Sequence, residues 1–84
     1  MVTFDYVIKE ARVHARPAGF LAKDAANYTS SVTISKDGKT ADAKKIFSIM
    51  GLGLKARDTV TINIEGGDET KAAANIEALI KTIW

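Results

Sequence analysis

The residues with the clearest capacity for chemistry are His14, Arg16 and Pro17, within the segment Val13-His14-Ala15-Arg16-Pro17-Ala18-Gly19. His14 is the only histidine of the chain and Pro17 the only proline. Imidazole is a nucleophile that is close to neutral at physiological pH. Proline suits the first turn of a helix, because its missing N–H would have no intrahelical partner there. The spacing therefore predicts that His14 lies at or just before a helix N-terminus, which favours an anion.

An imidazole beside a guanidinium and a helix start can hold a phosphoryl group. The phosphoryl donor must be attacked by a neutral imidazole. The Arg16 guanidinium and the helix N-terminus both disfavour the imidazolium, so we expect them to lower the pKa of His14. The same two features attract the dianionic product. Because phosphoryl transfer asks mainly for positioning and charge stabilisation, the chemistry needs no metal ion and no cofactor held by this chain.

The size and composition predict one ordinary globular domain over residues 1–84. The chain has no cysteine, so a disulfide framework and a thiolate metal site are both excluded. The formal net charge is +2 and the lysines form no run, which favours solubility over nucleic-acid binding. Since no signal peptide and no membrane-spanning apolar run are evident, we expect a cytoplasmic protein without membrane insertion.

The hydrophobic periodicity predicts the element order β-α-β-β-α-β-α. Alternating apolar residues indicate strands around residues 2–8, 31–35 and 59–65, with a short returning strand over 39–43. Apolar stripes indicate helices from Pro17 to about Tyr28 and from Asp68, its expected N-cap, to Ile83. Asp37-Gly38 suits a two-residue hairpin turn. The predicted fold is α+β: an open two-layer sandwich with helices on one face of a four-stranded, mainly antiparallel sheet.

The segment from Lys44 to Gly53 predicts a short helix that ends at a glycine, and its apolar residues are distributed around most of the helix circumference. A helix of two turns on so small a domain cannot bury all of them, so some should be exposed as a partner surface. At least one of Ile46, Phe47 and Met50 is nevertheless expected in the core. Phe20 is off the stripe of its helix, and the sequence leaves open whether it packs internally or serves docking.

The segment His14-Ala15-Arg16-Pro17-Ala18 resembles the active centre of the histidine-containing phosphocarrier protein HPr, of the bacterial phosphoenolpyruvate-dependent sugar phosphotransferase system. The resemblance extends to chain length, element order, the Asp37-Gly38 hairpin and the Lys44 to Gly53 segment, so it covers the whole chain. It implies that His14 accepts phosphate on Nδ1 from phosphorylated enzyme I and passes it to the IIA domains of sugar permeases. The protein would then be a carrier and not an independent enzyme.

The resemblance also implies roles for the neighbouring residues. Arg16 would neutralise the phosphoryl charge during transfer, and Ala15 and Pro17 would form the helix start beside the phosphate. The apolar ring on which both partners dock would consist of Gly19, Phe20, Ile46, Phe47 and Met50. Transient docking of this kind suits a monomer, which must leave each partner quickly.

Two positions depart from the family's pattern. Arg12 replaces a glycine that commonly lies two residues before the histidine, so it either takes an ordinary backbone conformation or a strained one. Lys45 stands where many Gram-positive members carry a regulatory serine, which predicts no regulation by HPr kinase. The alternative function is a paralogue with the same phosphohistidine chemistry in a regulatory or nitrogen-linked branch. A small nucleic-acid-binding module is disfavoured, because Phe4, Tyr6 and Trp84 form no stacking platform with a basic stripe.

Overall fold

The computed structural model describes residues 1–9 and 15–84, of which residues 15 and 16 are described by their backbone alone. The predicted loop from Lys9 to Val13, the Arg12 departure and His14 itself therefore lie outside the described residues, apart from Lys9. The described elements follow the predicted order: β1 Val2–Val7, α1 Ala15–Ala25, β2 Ser31–Lys36, β3 Lys39–Asp42, α2 Ile46–Met50, β4 Thr59–Glu65 and α3 Glu69–Ile83.

The four strands form one sheet in the order β1-β4-β2-β3, and every neighbouring pair is antiparallel. The register places Phe4 opposite Ile62 and Ile62 opposite Ile34, so the apolar residues of three strands share one face. The helices cover that face, and the residues buried between the two layers come from both. The sheet and helix residues of the core are Val32, Ile34, Ala41, Val60, Ile62, Ile64, Ala18, Leu21, Ala25, Ile49, Ala72, Ala73, Ile76 and Ile80. The predicted α+β sandwich is confirmed.

The hairpin between β2 and β3 forms at the predicted dipeptide. Asp37 has a φ of 50° and Gly38 a φ of 81°, the left-handed values that two-residue hairpin turns require. β3 is an edge strand, as its polar Lys39 and Asp42 indicated. The turn therefore sets the register of the sheet's outermost pair, in which Lys36 lies opposite Lys39.

Asp68 occupies the N-cap position of α3, but the expected capping hydrogen bond is absent. Its carboxylate instead accepts hydrogen bonds from the backbone N–H groups of Thr29 and Ser30, each at 3.0 Å, and from the Ser30 hydroxyl. The reason is a close backbone approach: a Cβ placed on Gly66 would lie 2.6 Å from Ser30 Cα. Asp68 thus comes to lie against the turn before β2, whose N–H groups need an acceptor.

This contact connects the start of β2 to the start of α3 through a side chain that the sequence assigns only to its own helix. Ser30 is fully buried, so its hydroxyl depends on a protein partner. The Ser30 hydroxyl and the Thr29 N–H hold the pKa of Asp68 at about 2, below its ordinary value of 3.8. Hydrogen bonds to the charged form favour that form, which explains the direction.

We predict that Asp68→Ala lowers the free energy of unfolding, and that the difference from the unsubstituted chain depends on pH. Because the pKa of Asp68 is depressed in the folded state, its contribution is fully present above about pH 4 and is lost as the pH falls through about 2. Urea unfolding at pH 7, 4 and 2 measures the difference, which should be largest at pH 7 and narrow towards pH 2. Glu77→Gln, within α3, is the matched control and should leave stability nearly unchanged at pH 7. A difference for Asp68→Ala that stays constant across this range would contradict the assignment.

Candidate functional site

The helix start predicted beside the histidine is present. α1 begins at Ala15, which places Pro17 in its first turn and leaves His14 immediately before it in sequence. His14 and the side chain of Arg16 lie outside the described residues, so their predicted roles stay predictions. No acidic residue lies in the first turn of α1. The positive end of this helix dipole is therefore not offset by a carboxylate from its own first turn.

Backbone hydrogen bonds hold the chain directly after β1, where it leads into the segment that contains His14. Ile8 is fully buried, its N–H donates to the Asp58 carbonyl at 2.9 Å, and its carbonyl accepts from the Arg57 N–H at 2.7 Å. The next residue, Lys9, donates its N–H to the Trp84 carbonyl at 3.0 Å. The loop before β4 and the end of α3 thus both hold the chain where it enters residues 10–14. No local pattern predicts these contacts, because the bonded residues are about 50 to 75 positions apart in the chain.

α1 and α2 approach each other closely at the predicted docking residues. A Cβ placed on Gly19 would lie 3.4 Å from Ile46 Cδ1, so the two helices approach to about van der Waals contact at this position. Ile46 is half-buried and packs against the core. It is thus the residue of the predicted trio that contributes to the interior, while Phe47 and Met50 remain exposed.

The exposed aromatic and methionine side chains of these two helices form what we call the apolar patch: Phe20, Phe47 and Met50. Their relative exposures are 50%, 83% and 39%. The open question about Phe20 is answered in part, because half of its surface is accessible rather than enclosed by a neighbouring element. Large apolar side chains exposed on adjacent helices of a small domain indicate a contact surface for another protein.

α2 buries one side and exposes the other, as its sequence predicted. Ile49 is fully buried and Leu52, just beyond the helix, is nearly so. Gly51 caps the helix with an ordinary φ of −66°, whereas the left-handed glycine is Gly53, at 63°. The glycine that requires positive φ therefore lies two residues after the C-cap. Lys45 precedes the helix in an extended conformation and its side chain makes no capping hydrogen bond.

An open groove of about 350 Å³ lies beside the apolar patch, between α1 and α3. Phe20 and Leu79 supply apolar walls, and its polar residues include Lys23, Asn27 and Asn75. The Asn75 amide donates to the Tyr28 hydroxyl at 2.8 Å, which connects α3 to the turn after α1 across the groove. The sequence did not predict this groove, since the residues that line it from α1 and from α3 are about 50 positions apart and share no motif.

Two properties concern the described residues alone. None of their helices has both the length and the apolar composition needed to cross a bilayer. Within the same residues, no three histidine, cysteine, aspartate or glutamate side chains come together as a candidate metal site.

The fold and the amino-acid sequence both match known phosphocarriers. Residues 3–82 match the family model described as the PTS HPr component phosphorylation site. The phosphocarrier protein HPr of Haemophilus influenzae is 35% identical over 77 residues, which are 92% of this chain and 91% of that protein. The crystal structure of HPr-C-His from Thermoanaerobacter tengcongensis superposes with a TM-score of 0.91 at 33% identity, covering 99% of this chain and 94% of that one.

A regulatory relative has the same fold. Crh, the catabolite repression protein of Bacillus subtilis, superposes with a TM-score of 0.79 at 32% identity, covering 93% of this chain and 90% of that one, and its crystal structure is a domain-swapped dimer. The family-model match spans nearly the whole chain, and the relatives agree with it in sequence and in fold. The chain therefore belongs to the HPr family, the phosphocarrier proteins of the phosphotransferase system.

Proposed function

We propose that this chain accepts a phosphoryl group on His14 Nδ1 from phosphorylated enzyme I and passes it to IIA domains of sugar permeases in the cytoplasm. The observation that supports it most strongly is the match of residues 3–82 to the family's phosphorylation-site model. The histidine, the arginine two residues later and the proline at the helix start are all present within that range.

The reaction requires little from the protein beyond positioning charged groups around the phosphoryl group. The Nδ1 lone pair attacks phosphorus and the new N–P bond forms as the bond to the donor breaks, while the proton on Nε2 stays in place. The N-terminus of α1 and the Arg16 guanidinium supply positive potential for the transferred oxygens. Positive potential beside an imidazole disfavours its protonated form, so the nucleophile is favoured in its neutral form. The carrier needs no cofactor, because enzyme I supplies the donor and the IIA domain the acceptor.

Partner docking is assigned to the apolar patch together with Gly19 and Ile46. The patch lies on the two helices that meet at the N-terminal half of α1, the end next to His14. A patch of three exposed apolar side chains suits a small, short-lived interface, as expected for a monomer that exchanges partners quickly.

We predict that the chain gains one acid-labile phosphoryl group when incubated with phosphoenolpyruvate, Mg²⁺ and catalytic enzyme I, as measured by mass spectrometry. His14→Ala should abolish the gain, because no other residue supplies an imidazole. Arg16→Ala should slow the transfer and leave the circular dichroism spectrum unchanged. Phosphorylation of the His14→Ala protein at the normal rate would exclude His14 as the acceptor.

We predict that Phe47→Ala raises the KM of enzyme I for this carrier by about tenfold, as expected for loss of a central aromatic contact. Phe47 is 83% exposed, so its removal should leave the fold intact. Val7→Ala is the matched control, since Val7 is 53% exposed on the sheet face opposite the helices. It should leave KM unchanged. Equal effects of the two substitutions on KM would argue against docking through the apolar patch.

We predict that a bifunctional HPr kinase with ATP adds no acid-stable phosphate to this chain. Lys45 occupies the regulatory position, and Ser48 lies half-buried one turn further on within α2. The variant Lys45→Ser restores a hydroxyl immediately before α2 and should gain the label, which controls for kinase recognition. Stoichiometric labelling of the unsubstituted chain at any serine would show that the prediction is wrong.

The likeness to Crh supports the regulatory paralogue as a second candidate. Both candidates share the fold, and they differ in which partners receive the phosphoryl group. Transfer from this carrier to a IIA domain of a sugar permease distinguishes them, since the regulatory alternative predicts phosphorylation by enzyme I without efficient transfer to such a domain.

A further inference from the structure

The loop between α2 and β4 ends in a tight turn from Lys55 to Asp58. The Asp58 N–H donates to the Lys55 carbonyl at 3.1 Å, and the Asp58 carboxylate accepts from the Lys55 N–H at 2.8 Å. Arg57 is the third residue of this turn and has a φ of 72°. Turns with a left-handed third residue favour glycine or asparagine there, because a Cβ is strained in that conformation.

Arg57 is unusual in having this conformation without a side chain suited to it. Among the residues that the structure describes, the other residue besides glycine with positive φ is Asp37. Asp37 lies in a two-residue hairpin turn, where aspartate is favoured. Arginine has no such local preference, so glycine would occupy position 57 at lower conformational cost.

No contact of the Arg57 side chain within the described part of the chain offsets this cost. The hydrogen bond to the Ile8 carbonyl comes from the Arg57 backbone N–H, which a glycine would also supply. The adjacent residue in sequence, Asp58, has its carboxylate paired with Lys36 Nζ at 2.7 Å. That ammonium lowers the pKa of Asp58. The Arg57 side chain is exposed and forms no hydrogen bond or ion pair with a described residue.

Two further exposed cations lie beside Arg57, and we call the three together the cationic corner: Lys9, Lys55 and Arg57. Lys55 belongs to the same turn, and Lys9 follows Ile8, the residue that the turn is bonded to. With Asp58 neutralised by Lys36, the turn presents positive charge where the chain enters residues 10–14.

We propose that Arg57 is a docking residue whose guanidinium binds carboxylates on a partner protein, with Lys55 and Lys9 beside it. The proposal rests on the proposed carrier function and names a charged contact for its partners outside the apolar patch. A non-glycine residue in a strained conformation points to a use beyond the fold, and an exposed guanidinium is suited to bidentate pairing with carboxylates.

The chemistry of the corner favours a protein over a nucleic acid. Single-stranded nucleic acids are bound by a basic groove with aromatic side chains on which bases stack. The corner contains no aromatic residue, and the exposed phenylalanines lie on α1 and α2. The sheet face away from the helices presents mainly hydroxyl groups, such as those of Thr3 and Thr61, already hydrogen-bonded to Asn63 and Asp5.

The test compares Arg57→Gln with Lys39→Gln, which removes the same charge from the edge strand β3, two strands away from β4. We expect Arg57→Gln to raise the KM of enzyme I about threefold to tenfold with kcat nearly unchanged, and the effect to shrink in high salt. Lys39→Gln should leave KM near that of the unsubstituted chain. Equal effects of the two variants, or none from Arg57→Gln, would overturn the proposal.

Two further measurements separate this proposal from the carrier function. In an NMR titration with poly-L-glutamate at low salt, amide shifts should occur at residues 55–58 and vanish in Arg57→Gln, even if the chain accepts no phosphoryl group. Stronger shifts at these residues with single-stranded oligonucleotide would overturn the choice of a protein partner.

The second measurement is the thermal stability of Arg57→Gly, whose Tm should be no lower than that of the unsubstituted chain. A clear loss of stability would show that the side chain acts within the fold and would also overturn the proposal.

Discussion

The structure depends on one constraint: a four-stranded sheet with a single apolar face has to be covered by three helices within 84 residues. The antiparallel register aligns the apolar residues of β1, β4 and β2 on that face, and a shift of one residue would turn them all to solvent. The opposite face consists largely of threonine, serine and charged side chains. The helices can therefore pack on one side only, which brings α1, α2 and α3 into one layer.

This layer is too small to enclose every apolar side chain of its own. α2 has five residues and directs Ile49 into the core, so Phe47 and Met50 have nowhere internal to pack. The close contact of Gly19 with Ile46 brings that exposed side of α2 next to α1. The shortage of interior space thus produces an apolar surface beside the N-terminus of α1, where we propose that the phosphoryl group is held. The docking proposal follows from how the sheet is covered and not from a separate binding element.

Polar contacts between distant segments hold the ends of the elements together in a chain without disulfides. Asp68 connects the turn before β2 to α3, and the Lys36 ammonium contacts both the Asp58 carboxylate and the Gly53 carbonyl. Asn75 and Tyr28 connect α3 to the end of α1. None of these contacts involves the Arg57 side chain, which agrees with the intermolecular role proposed for it.

The sequence alone determined the element order, the hairpin at Asp37-Gly38, the core stripes and the helix start beside His14, because each depends on local periodicity or on the backbone preferences of single residues. It also predicted that α2 would expose apolar residues, since the count exceeded what two turns can bury. Only the tertiary structure decided that Asp68 bonds to Ser30 rather than capping its own helix, that Ile46 packs inward while Phe47 does not, and that Arg57 takes a left-handed conformation. Each of these depends on which distant backbone passes within a few ångströms, and spacing along the chain carries no information about such approaches.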